Sequence, residues 1–220
     1  LTSSIGTLSW RRLEVSGGFL LLTAVLYYFD TDNLLLIAFF SSALHELGHL
    51  LAIYLLGGRV AKLRLTCMGA EIVLSARRQL AHWKHCIIAL AGPGTNLALI
   101  LLLLPNAGHG RGYLFIGVNF VLCVFNLLPI SQLDGGRVLW YFLSIFLPED
   151  TAGQIVGIVS LLFSLGLTGL GFFLLFQRAG SFTLLLSALW LAGASLLWWR
   201  ETRRTRRKRR QALRPPRGGT

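Results

Sequence analysis

The sequence predicts an α-helical polytopic membrane protein with about six transmembrane helices and one small membrane-embedded β-hairpin. Three observations carry this. Hydrophobic residues make up 54% of the chain and charged ones only 14%, against roughly 25% charged in ordinary globular domains. Several apolar runs approach the ~20 residues a helix needs to cross a hydrocarbon core. Ten of the 21 Lys and Arg fall between Arg200 and Arg217, directly after an apolar segment. A basic block so placed marks the cytoplasmic side, where it meets anionic lipid or a cytoplasmic partner. The net charge of +12 would point to nucleic acid only if it were spread over a soluble face.

Taken in order, residues 1–16 form a cytoplasmic N-terminal segment, with Trp10 as an interfacial aromatic before Arg11 and Arg12. The apolar run Gly18 to Phe29 follows. Positive charge before an apolar run also opens signal peptides, but Tyr27-Tyr28-Phe29-Asp30 offers no small-residue cleavage site, so an uncleaved first helix is expected. Asp30 to Asn33 breaks the chain and supplies N-cap residues for a second helix, about 33–56, which Gly57-Gly58 ends. Between Arg59 and Arg78, apolar Val60, Leu63, Leu65, Ile72, Val73 and Leu74 mix with Lys62, Arg64 and Glu71 around Met68-Gly69, the pattern of two short strands. Open strand edges cannot face lipid, so the pair lies at the interface or against helices.

A third helix is expected from Ala81 to Leu104. It contains Ala91-Gly92-Pro93-Gly94-Thr95-Asn96, small residues that allow close helix approach and a proline that frees a carbonyl. After a turn over 105–112, a fourth helix runs from Tyr113 to about Leu128. Pro129 and Gly135-Gly136 then break regular structure, which at membrane depth is tolerated only where the backbone lines a cavity or packs in protein. Val138 to Leu147 is too short to span alone and reads as a helix capped by Asp134 or packed beside the broken segment. Ile155 to Phe176 and Phe182 to Trp199 are two further spans, grouped as 148–199. The tail, 200–220, reads as disordered until it meets a membrane or partner. With six spans both termini share one side, together with 19 of the 21 cationic residues; only Arg111 and Arg178 fall opposite. The positive-inside rule makes the shared side cytoplasmic, in a multi-pass protein of the cell membrane. Cys67, Cys86 and Cys123 are odd in number and show no C-x-x-C, so they read as small buried hydrophobes.

The chemistry is concentrated in His45-Glu46-Leu47-Gly48-His49, inside the apolar run Leu34 to Leu56, whose only charge is Glu46. On a helix, positions i and i+4 lie about 6 Å apart along the axis and about 40° apart around it. His45 and His49 can therefore aim two imidazoles at one metal ion, with Glu46 on a neighbouring face as a general base. Ionisable groups at membrane depth are expensive and are functional by default. A catalytic zinc normally takes a third protein ligand. Asp30, Asp32, Glu71, His82, His85, His109 and Asp134 are the candidates. Asp134 stands out because Gly135-Gly136 lets the backbone approach closely, although simple helix capping is its alternative role. Asn96 and Asn126 are costly in a span unless bonded, either across helices or in the chemistry.

These residues carry a resemblance. His45-Glu46-Leu47-Gly48-His49, then Ala91-Gly92-Pro93 with Asn96, then Asn126, Pro129 and Asp134-Gly135-Gly136 resemble, in order, the motifs of the site-2 protease family of intramembrane zinc metalloproteases. The resemblance covers a core of about residues 17–147. It implies that His45, His49 and Asp134 bind zinc and that Glu46 activates water. It implies that the 59–75 hairpin is a membrane-embedded sheet holding an extended substrate, and that Asn126 and Asn96 position substrate or scissile carbonyl. The family's substrates are membrane proteins, cut within or near the bilayer, often to release a regulator. The 59–78 and 105–112 connections are too short for a PDZ-like insertion. The compact layout is similar to the sporulation branch, whose type member processes a sigma-factor precursor. A basic tail stands where that branch commonly carries a CBS domain, so nucleotide regulation through CBS is not implied. The competing class is a catalytically silent zinc-binding membrane protein acting as a partner or substrate-binding module; Glu46 argues against it, because a binder needs no base beside the metal. A metal transporter would spread ionisable groups along a path rather than gather them at one site.

Overall fold

The computed structural model describes residues 7–10, 13–16, 34–66, 69–74, 80–106, 110–177 and 182–212, with backbone only at 7–10, 13–16, 63–66, 69–74, 106, 111, 182–184 and 206–212. The expected first helix over 18–29, the 30–33 loop, Cys67, Met68, His109 and the last eight residues lie outside the described residues. The chain divides into two compact units, Leu1–Val124 and Phe125–Thr220.

The first unit contains β1 (Thr7–Trp10), β2 (Leu13–Ser16), α1 (Leu34–Leu55), β3 (Val60–Thr66), β4 (Gly69–Leu74), α2 (His82–Leu103) with a 3-10 turn at Leu104–Asn106, and α3 (Arg111–Asn126) up to Val124. The strands form one four-stranded sheet in the order β1-β2-β3-β4. β1 and β2 pair antiparallel with Trp10 opposite Leu13, β2 runs parallel to β3 with Leu13 opposite Leu63, and β3 and β4 pair antiparallel with Leu63 opposite Ile72. The expected hairpin over 59–78 is therefore half of a larger sheet. Within the expected N-terminal segment 1–16, β1 and β2 are strands that the sequence pattern did not announce. They are four residues each, and Arg11-Arg12 lies between them without the Gly, Pro, Asn or Asp that announces a hairpin.

α1 ends as its glycines predict. Gly57 has φ 79°, Gly57 N–H donates to the Tyr54 carbonyl at 3.1 Å, and Gly58 N–H donates to the Ile53 carbonyl at 2.8 Å. This is a Schellman closure, which satisfies the last carbonyls of the helix. The polar and small residues of α1 face inward: Ser41, His45, Gly48, His49, Ala52 and Ile53 are buried, while Leu36, Phe40, Leu47, Leu51 and Tyr54 are exposed. That inverted arrangement suits a lipid solvent. A Cβ at Gly48 would overlap Thr95 Oγ1 and lie 2.7 Å from the Ala91 carbonyl oxygen, so α1 and α2 meet where both are small. Beside this crossing, Ala52, Ile53 and Ile88 form a buried cluster with Leu56, Val60, Leu80 and Ala91 packed around it. In α3, wholly buried Asn119 donates to Ser41 Oγ and to the Phe115 carbonyl, both at 2.9 Å.

The second unit contains the end of α3, α4 (Asp134–Phe146), α5 (Glu149–Phe176) and α6 (Phe182–Ala212). α5 and α6 run antiparallel: a Cβ at Gly153 would meet Thr202, one at Gly157 would meet Trp199, and one at Gly171 would meet Leu185. Ser160, Ser164 and Ser195 are buried along this contact, with Ser164 and Ser195 hydroxyls 3.2 Å apart. α5 starts at Glu149, ahead of the expected Ile155, because Glu149 and Asp150 in its first turn suit the positive end of the helix dipole. α6 passes Trp199 and continues to Ala212, where a disordered tail was expected. Arg, Lys, Glu, Gln and Ala are good helix formers, and the Arg203 guanidinium stacks 3.8 Å over the Trp199 ring.

α1, α2 and α5 are the three described helices long and apolar enough to cross a membrane, and Gly112–Asn126 is apolar but shorter. The expected second, third and fifth spans are thus present in that form.

Candidate metal centre

The centre is built on one face each of α1 and α2. His45 and His49 lie one turn apart on the buried stripe of α1. Their Nε2 atoms are 3.2 Å apart, and the rings stand edge to face, 82° between planes. Two nitrogens bound tetrahedrally to one zinc at the usual bond length are about 3.3 Å apart. The pair therefore has the bite a single zinc ion requires.

The far side of each ring is engaged. His49 Nδ1 is 2.7 Å from the Ile88 carbonyl. A carbonyl can only accept, so Nδ1 carries the proton and Nε2 presents a lone pair. His45 Nδ1 lies 3.1 Å from the Asn96 carboxamide, and Asn96 is wholly buried. Between these two partners on α2 sits Gly92, where a Cβ would collide with Nε2 of both histidines. Ile88, Gly92 and Asn96 follow at intervals of four, so a single stripe of α2 backs the pair. Pro93 is buried beside that stripe.

Glu46 is half-buried on the neighbouring face of α1. Asn126 is the last residue of α3 and is half-buried. Asp134 belongs to the second unit. It is buried and opens α4, whose N-cap is Leu133 without a side-chain cap bond. Asp134 is thus the first helical residue, not the cap. Its carboxylate lies 3.8 Å from half-exposed Arg137, too long and too wet to hold it firmly. The preceding loop is folded tightly: Ile130 N–H donates to the Leu128 carbonyl at 2.7 Å, Leu133 N–H to the Ile130 carbonyl at 2.8 Å, and Ser131 N–H to Ser160 Oγ at 2.8 Å. A Cβ at Gly135 or Gly136 would strike the carbonyls of Leu127 or Ile130. The paired glycines let the first turn of α4 lie directly on that loop.

His82 and His85 stand in the first turn of α2 and, with Cys86, join no group able to hold a metal among the described residues. Neither Cys86 nor Cys123 is in a disulfide with a described residue; Cys123 is buried, whereas Cys86 is only half-buried. The sequence reading missed Ile88, whose contribution is a backbone carbonyl; its spacing of four from Gly92 was the only trace it left. It also missed the Ser41–Asn119 bond, one turn from His45. The donor chemistry of two oriented imidazoles with a buried carboxylate available in the chain suits zinc.

No family model matches the chain. The fold is similar to that of the site-2 protease from Methanocaldococcus jannaschii, with TM-score 0.64, 22% identity, and cover of 88% of this chain and 94% of that one. At that identity the likeness concerns the fold. A protein of Synechocystis sp. described as a "putative zinc metalloprotease" is 35% identical over 112 residues, 47% of this chain and 29% of the relative. The chain thus spans under a third of the length of that curated relative. Neither is described as a sporulation protein.

Proposed function

We propose that the protein is an intramembrane zinc metalloprotease that cuts a membrane-associated or transmembrane regulatory protein within or near the bilayer. The observation that carries this is the His45–His49 pair, 3.2 Å apart at Nε2, buried and backed from α2. His45, His49 and Asp134, all buried, are the proposed ligands. Bound zinc would polarise a peptide carbonyl and acidify water at the site. Glu46 takes a proton from the attacking water and returns it to the departing amine. Asn126, at the end of α3, orients the substrate.

A helical substrate hides its peptide bonds in its own hydrogen bonds and must unwind before water can attack. Among the described strands β4 lies at an edge of the sheet, and its outer N–H and C=O groups suit strand addition by such an unwound segment. The site-2 protease fold and the three apolar helices support placement in the cell membrane. The charge pattern supports six spans with both termini cytoplasmic. The basic end of α6 then lies on anionic lipid or a cytoplasmic partner. A sigma-factor precursor is one substrate of the proposed class; tethered regulators in general fit it equally.

Glu46→Gln separates catalysis from binding. It is expected to keep zinc and abolish cleavage of a co-expressed tethered regulator, read by immunoblot. Cleavage at the wild-type rate would end the protease reading.

A further inference from the structure

We infer that Asn96 is a positioning residue of the metal centre, whose side-chain oxygen accepts the Nδ1–H of His45 and so presents the His45 Nε2 lone pair to the metal. This rests on the zinc reading above and departs from the substrate-positioning role that the resemblance implied for Asn96.

Three observations carry it. Asn96 is wholly buried, with its carboxamide on His45 rather than on a surface a peptide could reach. As placed, the amide nitrogen faces His45 Nδ1 at 3.1 Å, and Asn96 Oδ1 is buried with no hydrogen-bond partner among the described residues. The two ends of a carboxamide are told apart only by their partners. With nitrogen toward the ring, Nδ1 must accept, which forces the His45 proton onto Nε2, the atom a metal needs bare. Turning the carboxamide by 180° gives Oδ1 the donor it lacks and moves that proton to Nδ1. His45 then matches His49, whose Nδ1–H donates to the Ile88 carbonyl at 2.7 Å. In that state both Nε2 atoms, 3.2 Å apart, carry lone pairs toward one point.

The stripe on α2 thus acts as a jig with three parts. Ile88 aims His49, Gly92 leaves room for the two converging nitrogens, and Asn96 aims His45. Outer-shell partners of this kind are worth about 10–100-fold in metal affinity.

The test compares full-length wild type, Asn96→Leu and Asn96→Asp in detergent. Zinc affinity is read by chelator competition, and Co2+ substitution by its visible absorption. Asn96→Leu, close in volume but unable to accept a hydrogen bond, is expected to weaken zinc about 10–100-fold. Asn96→Asp retains the acceptor and is expected to hold zinc within about threefold of wild type or tighter, with the Co2+ spectrum restored. That rescue excludes mere loss of packing. Wild-type affinity in Asn96→Leu, with a raised KM alone, overturns the inference in favour of substrate positioning. Equal loss in both variants also overturns it, since a carboxylate can accept the same bond. Absence of stoichiometric zinc in the wild type would instead sink the zinc reading itself.

Discussion

At Gly92 two preferences of the chain oppose each other. Alanine is favoured over glycine inside a helix by about 1 kcal/mol, and Gly92 lies in mid-helix in α2. A Cβ there would collide with Nε2 of both His45 and His49, and neither ring can retreat without leaving its Nδ1 partner on the same helix. Gly92→Ala is therefore expected to lose zinc affinity by about tenfold or more, the scale of outer-shell disruption, whatever it does for helix stability. Chelator competition on the purified variant checks this; wild-type affinity would mean that the imidazoles have slack. The motif at 45–49 was legible because its chemistry is in side chains at fixed spacing. The contribution of Ile88 was not, since a carbonyl oxygen is common to every residue and only the packing of α1 on α2 selects this one.

Among the elements, the start of α4 is the most constrained. Gly135 and Gly136 rest on the carbonyls of the 127–130 turn, while Ser160 of α5 accepts Ser131 N–H and Ser195 of α6 donates to Gln132 Oε1 at 3.2 Å. Asp134 is thus carried on a helix end clamped from two sides. Gly136→Ala is expected to cost about 1–3 kcal/mol by overpacking and to weaken zinc along with stability. Gly166→Ala in α5, where a Cβ meets open space, is the matched control, expected to be neutral or stabilising by up to about 1 kcal/mol. Thermal unfolding in detergent with and without zinc reads both; a Gly136→Ala protein as stable as the control would show that the loop yields. The sequence announced the break here through Pro129 and the paired glycines. The early start of α5 and the long run of α6 were harder to read, because apolar runs mark where a helix meets lipid, not where its hydrogen bonds end. β1 and β2 were hidden for a related reason: β2 gains a partner in β3 from more than forty residues away, and nothing local signals that pairing.

For the molecule as a whole, the distribution of charge makes the strongest claim. The large exposed residues of α1 and α5 are mostly Leu and Phe, while their buried stripes include Ser, Thr and His. Such a surface suits a lipid solvent. What lipid cannot fix is direction; under the positive-inside rule the cationic residues are expected to set it. Arg200, Arg203 and Arg204 extend α6 beyond Trp198-Trp199, an aromatic pair of the kind that settles at the headgroup level. Arg59 and Lys62 flank the start of the sheet strand that follows α1. In the six-span arrangement these groups share one side, and moving them across would cost insertion energy for each charge. A reporter fused after Ala212 is therefore expected to be cytoplasmic, and one inserted at 178–180 to lie outside. A cytoplasmic 178–180 reporter with the Ala212 fusion also cytoplasmic would mean that α6 does not cross. An external Ala212 reporter with a cytoplasmic 178–180 reporter would invert the orientation. In that inverted case His45, Glu46 and His49 would serve substrates approached from the outer face, and a cytoplasmic regulator could no longer be the released product.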